Sequence, residues 1–164
     1  MSGIMSKASH VLVKPESSWK TILECATVEV FEMMANVHLD PEPSPEGVPS
    51  GDFTAMVGMA GALCGMTSIR CPRAVAARLA AAMLGEESTA NPSAPEDALG
   101  ELCNMVAGNF KSKISTLADH CLLSVPTVIS GEDYTLQALQ PVQSFVLALR
   151  HESEKIWVSL LVHE

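Results

Sequence analysis

The fold class this sequence predicts is α+β, with long helices laid on an antiparallel sheet. Three observations carry the prediction. Apolar residues recur at helical spacing near both residues 19–37 and residues 96–117, a glycine-broken apolar stretch covers 53–72, and the last third of the chain consists of short β-type runs. The order reads helix, two hairpin strands, two helices, four strands. At 164 residues the chain suits one domain with a real core, so it is read as a single module, with residues 1–16 as a flexible lead-in.

Each element has a local reason. Ser17 and Ser18 offer N-cap oxygens to a first helix in which Ile22, Cys25, Ala26, Val30, Met33, Met34 and Val37 share a stripe. "DPEPSPEGVPSGD" then places four prolines and two glycines in thirteen residues and ends any helix. "FTAMVGMAGALCGMTSIRCP" holds too many glycines for a stable helix and fits two strands turned around Ala60-Gly61-Ala62. Pro72 suits the first turn of an alanine-rich second helix that Gly85 stops. The third helix opens at Glu96 and Asp97, whose charge favours the positive end of the helix dipole. "PTVISG", "YTLQAL", "SFVLALRH" and "IWVSLLVH" read as strands, with "RHESEK" as the turn between the last two.

Composition excludes several functions. With a net charge of −9 and no Lys/Arg cluster, nucleic acid and anionic membrane are poor partners. No apolar run reaches the roughly 20 residues of a membrane span, and the first 15 residues lack a signal-peptide core, so a cytoplasmic location is expected. The five cysteines are scattered and form no C-x-x-C pair; they read as small buried residues, and no metal site is expected. The nine methionines read as gap fillers in a core where aromatics are only 4% of residues. His38 with Asp40, and His151 with Glu152, read as surface groups at a helix end and a turn.

The third helix carries the chemistry. Advancing ~100° per residue from Asp97 puts Glu101, Asn104, Gly108 and Ser115 on one face, opposite Leu99, Leu102, Cys103, Val106, Phe110, Ile114 and Leu117. Gly108 on an exposed helical face forfeits about 1 kcal/mol relative to alanine, and close approach by a partner is one reason to tolerate it. Gly100 at the margin of the stripe reads the same way.

Asp97, Glu101 and Asn104 followed 22 residues later by Pro126 resemble the motif of the CheC, CheX and FliY group of chemotaxis phosphatases, Asp/Ser-x-x-x-Glu-x-x-Asn and then Pro. The interval to proline is one residue shorter than usual. "GMTSIRCPRAVAARLAAAMLG", "EDALGELCNMVAGNFKSKI" and "VPTVISG" resemble CheX-type segments in the same order, and the likeness spans roughly residues 20–162.

The resemblance implies a phosphatase that hydrolyses the phosphoaspartate of a CheY-like receiver domain. Asn104 would orient the attacking water, and Glu101 would dock to the lysine of the regulator's active site. Asp97 is read either as a motif residue at the edge of that contact or as a helix-start residue, and Pro126 as a structural member of the motif. The protein would need no cofactor of its own, because Mg²⁺ is supplied in the regulator's active site. CheX-type relatives dimerise through their sheets, so a homodimer through sheet edges is expected. On the first helix Glu32 and Asn36 are four residues apart rather than three, which departs from Glu-x-x-Asn and leaves one active helix. The alternatives are a non-catalytic adaptor that uses the same helix to bind either a receiver domain or a CheD-type deamidase without turning over phosphate, and, less favoured, a motor-switch component of the FliY kind.

Overall fold

A computed structural model describes residues 15–43, 45–85 and 87–163. Of the lead-in expected over 1–16, residues 1–14 lie outside the described residues, while Pro15 already opens the first helix. The elements are α1 (Pro15–Ala35), β1 (Asp40–Pro41), β2 (Phe53–Gly61), β3 (Gly65–Cys71), α2 (Arg73–Leu84), α3 (Glu87–Ala90), α4 (Ala94–Ser112), β4 (Cys121–Leu123), β5 (Thr127–Ser130), β6 (Val142–His151) and β7 (Glu154–His163). The sheet runs β1-β6-β7-β3-β2, and β4 and β5 share the far edge of β2. Every pairing is antiparallel.

Period-two alternation sorts the strands into two faces. Phe53, Ala55, Val57 and Met59 of β2 point inward with Ile69 and Cys71 of β3 and Ile156, Val158 and Leu160 of β7, and all are buried. α4 lies on this face: the Cys103 thiol reaches the carbonyls of Ala55 (3.5 Å) and Thr67 (3.6 Å), on β2 and β3. α1 and α2 flank α4 and close the same core through Leu23, Val30, Phe31, Val75 and Leu79. The two hairpin glycines permit close backbone approach. A Cβ at Gly61 would overlap the carbonyl of His120, and one at Gly65 the carbonyl of Leu161.

Several expectations need correction. α1 begins at Pro15, so Ser18 lies within the helix, and it stops at Asn36, whose positive φ of 51° ends the run before Val37. α4 ends at Ser112, not near 117; Leu117 N–H bonds to Ile114 and His120 N–H to Leu117, so 113–120 continue as tight turns rather than α-helix. "YTLQAL" is not a strand, because β4 and β5 already occupy the β2 edge and Tyr134 turns across the sheet to bond Thr54. The fourth C-terminal strand is instead the short β4, and the two-residue β1 was not expected. Cys71, Cys103 and Cys121 are buried, but Cys25 and Cys64 are exposed. Among the described methionines only Met59 is buried, and Met33 lies 67% exposed.

Candidate functional site

α4 is amphipathic, and that property sets the site. Leu99, Leu102, Cys103, Val106 and Phe110 are fully buried against the sheet, which forces the other side of the helix outward. There Asp97 and Glu101 are exposed and Asn104 is half-buried. Glu101 and Asn104 are three residues apart, a spacing that brings helical Cβ atoms to about 5–6 Å. Among the described residues neither side chain is held by a hydrogen bond or ion pair, so the carboxylate and the amide keep their full bonding capacity for something outside the chain.

Asp97 is placed differently. Its Oδ2 accepts a hydrogen bond from the Ser93 hydroxyl at 3.3 Å, and its N–H bonds the Ser93 carbonyl. Ser93 precedes the helix, and its backbone N–H donates to Asn91 Oδ1 at 3.0 Å. Asp97 therefore has a helix-start partner, one turn before the pair that has none. Pro126 immediately precedes β5 and lies against Gly100: a Cβ on Gly100 would stand 3.5 Å from Pro126 Cβ and 3.4 Å from Val128 Cγ2. Gly100 is buried at this contact, and a Cβ there would stand at ordinary contact distance from both neighbours. At Gly108 the nearest neighbour would be Leu123 Cδ1 at 3.9 Å. Among the described residues no contact demands glycine at either position.

These contacts trace a wall that motif reading did not anticipate. The segment 121–128 runs antiparallel to α4, from Lys111, whose Nζ donates to the Cys121 carbonyl at 2.7 Å, past Gly108 to Gly100. Between those contacts lies Ser124. Its Oγ accepts the Gly58 N–H at 2.8 Å and its own N–H bonds the Gly58 carbonyl at 2.9 Å. This clasp bridges the gap between β4 and β5 and fixes the wall to β2. A lone serine between strand runs gives no sequence signal for it.

Electrostatics at the back of the site join α4 to α1. Glu29 takes bonds from Lys113 Nζ at 2.8 Å and from Asn109 Nδ2 at 2.9 Å. Those bonds hold its carboxyl down at about 2. On α1, Glu32 bonds His38 Nδ1 at 2.9 Å and Asn36 has left the helix, so the two do not form a second carboxylate-amide pair. Asp40 also faces His38, at 3.3 Å from Nε2, and the imidazole is 70% exposed. His151 makes a 3.3 Å contact with the His38 carbonyl, and Glu152 takes φ 54° in the β6–β7 turn. Burial pushes the Cys71 and Cys103 thiols up to about 12, so neither supplies a thiolate. Among the described residues no group of three His, Cys, Asp or Glu side chains could hold a metal ion, and no helix is long and apolar enough to cross a membrane.

Comparison with known proteins places this geometry. The family model described as chemotaxis phosphatase CheX matches residues 53–150, a span from β2 into β6 that includes all of α4. Among solved structures, the chemotaxis protein CheX of Desulfovibrio desulfuricans superposes with a TM-score of 0.78 at 23% identity, covering 89% of this chain and 99% of its own. CheX of Vibrio vulnificus gives 0.76 at 22% identity, with 88% and 96% covered. The CheX of Borrelia burgdorferi, solved in complex with CheY, BeF₃ and Mg²⁺, gives 0.73 at 18% identity, with 89% and 98% covered. At such identities the structural likeness is one of fold. No curated protein matches the sequence.

Proposed function

The chain belongs to the CheX family of chemotaxis phosphatases, and from that premise we propose that it hydrolyses the phosphoaspartate of a CheY-like receiver domain through Glu101 and Asn104. One observation carries the reading: an exposed carboxylate and a neighbouring amide on a helix whose opposite side is buried against the sheet, neither of them engaged by the described residues. An acyl phosphate already has a good leaving group, and the receiver's own Mg²⁺ offsets charge on the transferring oxygens. What a helper protein adds is a water in line with the phosphorus. The Asn104 amide has an acceptor oxygen and two N–H donors, so it can take a proton from water into a hydrogen bond while donating to the phosphoryl oxygens. The water attacks phosphorus, the bond to the aspartyl oxygen breaks, and the receiver carboxylate and inorganic phosphate leave. No covalent bond to this chain forms.

Glu101 acts as the dock. An ionised carboxylate accepts charge-assisted hydrogen bonds, and the receiver's active-site lysine is the group it would face. The wall at 121–128 keeps α4 in register, and Asp97 stays with Ser93. The protein brings no cofactor to this reaction. The Borrelia protein named above is a CheX captured with CheY, which supports a receiver domain as partner. β6 stands at the sheet's edge beyond the two-residue β1, which pairs only with Leu149 and Arg150 and is followed by a Glu42 N–H bond to the Ala148 carbonyl. That edge suits a homodimer formed by strand pairing.

Phosphate release from receiver domains of the host, phosphorylated with a small phosphodonor in Mg²⁺, tests the reading. Asn104→Ala should lower kcat by at least about 100-fold while the complex with the receiver still forms. A wild-type protein without turnover on any receiver, or an undiminished Asn104→Ala, would overturn it.

A further inference from the structure

On the face of the sheet away from the helices lies a cavity of about 1000 Å³, roofed by the loops around 48–52 and 131–136. Its floor is built by the outward residues of three strands: Met66 and Ser68 of β3, Trp157, Ser159 and Leu161 of β7, and Val146 of β6. The volume is that of a small-molecule site, and such sites combine an apolar lining with a few placed polar groups. Both kinds are present. Val48 (80% exposed) and Leu136 (40% exposed) form apolar lips on the two loops. On the floor the Ser68 and Ser159 hydroxyls bond one another across β3 and β7.

The group that gives the cavity its chemistry is Arg70. It is half-buried, its Nε–H donates to the Gly51 carbonyl at 2.9 Å, and one Nη2–H donates to the Tyr134 carbonyl at 3.2 Å. The guanidinium lies 4.2 Å over the Tyr134 ring, and Tyr134 is itself bonded to Thr54. Both roofing loops therefore fix its orientation. Yet among the described residues no carboxylate pairs with it. Asp52, the nearest acid in sequence on the lining, accepts the Arg73 N–H at 2.7 Å and faces the Arg73 guanidinium at 3.9 Å, while Glu132 and Asp133 are exposed at the mouth. A cation held partly out of water in an acidic protein normally has an anion beside it. Three guanidinium N–H groups remain, in the planar fork that a carboxylate fills with two parallel bonds.

We infer that this cavity binds a small amphipathic carboxylate, its head on Arg70 and its apolar body over Met66, Val146, Trp157 and Leu161. The site is independent of Glu101 and Asn104, which stand on the other side of the sheet.

The cavity contains its own reporter. The chain has two tryptophans, Trp19 and Trp157, so Trp157 is the single emitter in a Trp19→Phe protein. Octanoate, octanol and octylammonium share one tail and differ in head charge. Octanoate should change Trp157 emission saturably at sub-millimolar to low-millimolar concentration, with octanol and octylammonium at least about tenfold weaker. Arg70→Met should remove that preference. Ser144→Trp fills the cavity from β6 without touching the Arg70 bonds, so it should block octanoate even if Arg70→Met perturbs the loops; its binding is read by calorimetry. Equal binding of all three probes, octanoate binding unchanged in both variants, or no saturation by about 10 mM overturns the inference.

Discussion

At the scale of single residues, Asn104 and Glu101 differ from several other polar side chains of the helix in having no bonding partner among the described residues. Asp97 has Ser93, Asn109 has Glu29, and Lys111 has the Cys121 carbonyl. Trimming them should therefore leave stability within about 0.5 kcal/mol, as for surface positions without partners. Glu101→Ala should raise KM for the phosphorylated receiver more than it lowers kcat, and Asn104→Ala the reverse; thermal melts beside steady-state phosphate release check both. Gly108→Ala separates folding from function in another way. Its Cβ would meet only Leu123 at 3.9 Å, so the helix should gain up to about 1 kcal/mol, and turnover should fall because the methyl stands on the docking face. The pair was legible in the sequence because a 3.6-residue period and an i,i+3 spacing suffice to put two side chains on one ridge. The surroundings of Gly100 were not legible: its neighbours Pro126 and Val128 come from across the fold, and no local pattern announces them.

At the scale of elements, α1 and α4 are tied by a polar link that depends on pH. Glu29 lies between Lys113 and Asn109, and its carboxyl is held at about 2, below its ordinary value of 4.5. Between those values the unfolded chain takes up a proton that the folded chain refuses, so protonation favours unfolding. The stabilisation is present above pH 4.5 and is lost as pH falls toward 2. Glu29→Gln should flatten that limb of the acid-unfolding curve, and Lys113→Met should flatten it partly, with circular dichroism as readout. His38 works with opposite sign: bonds to Glu32 and Asp40 raise its pKa, so its contribution is present below pH 6.5 and is lost as pH rises through the raised value. Elements with strong periodicity, α2, β6 and β7 among them, could be placed from sequence within a few residues. β1, β4 and the 134–139 segment could not. A strand of two or three residues has no period to read, and 134–139 alternates like a strand yet is held by Tyr134 as a loop.

At the scale of the whole molecule, the order of strands makes the C-terminus central. β7 is the last element in the chain, yet it lies between β6 and β3, with Gly65 paired to Val162 and Val142 to His163. It also brings Ile156, Val158 and Leu160 to the core, all fully buried. The 53–150 span that matches the family model contains α4 and its motif but neither β7 nor α1, which supplies Leu23, Val30 and Phe31. Without β7 the sheet separates into β6 with one exposed edge and β3 with another, and the open backbone groups favour aggregation. A 53–150 fragment should therefore show no cooperative urea transition and no turnover, despite carrying Glu101 and Asn104. Removing only Glu164 should change neither. A fragment that unfolded cooperatively would mean that α4 is held by β2 and β3 alone. The better-supported outcome is that the ridge bearing the carboxylate and the amide is rigid because the last strand of the chain closes the sheet beneath it.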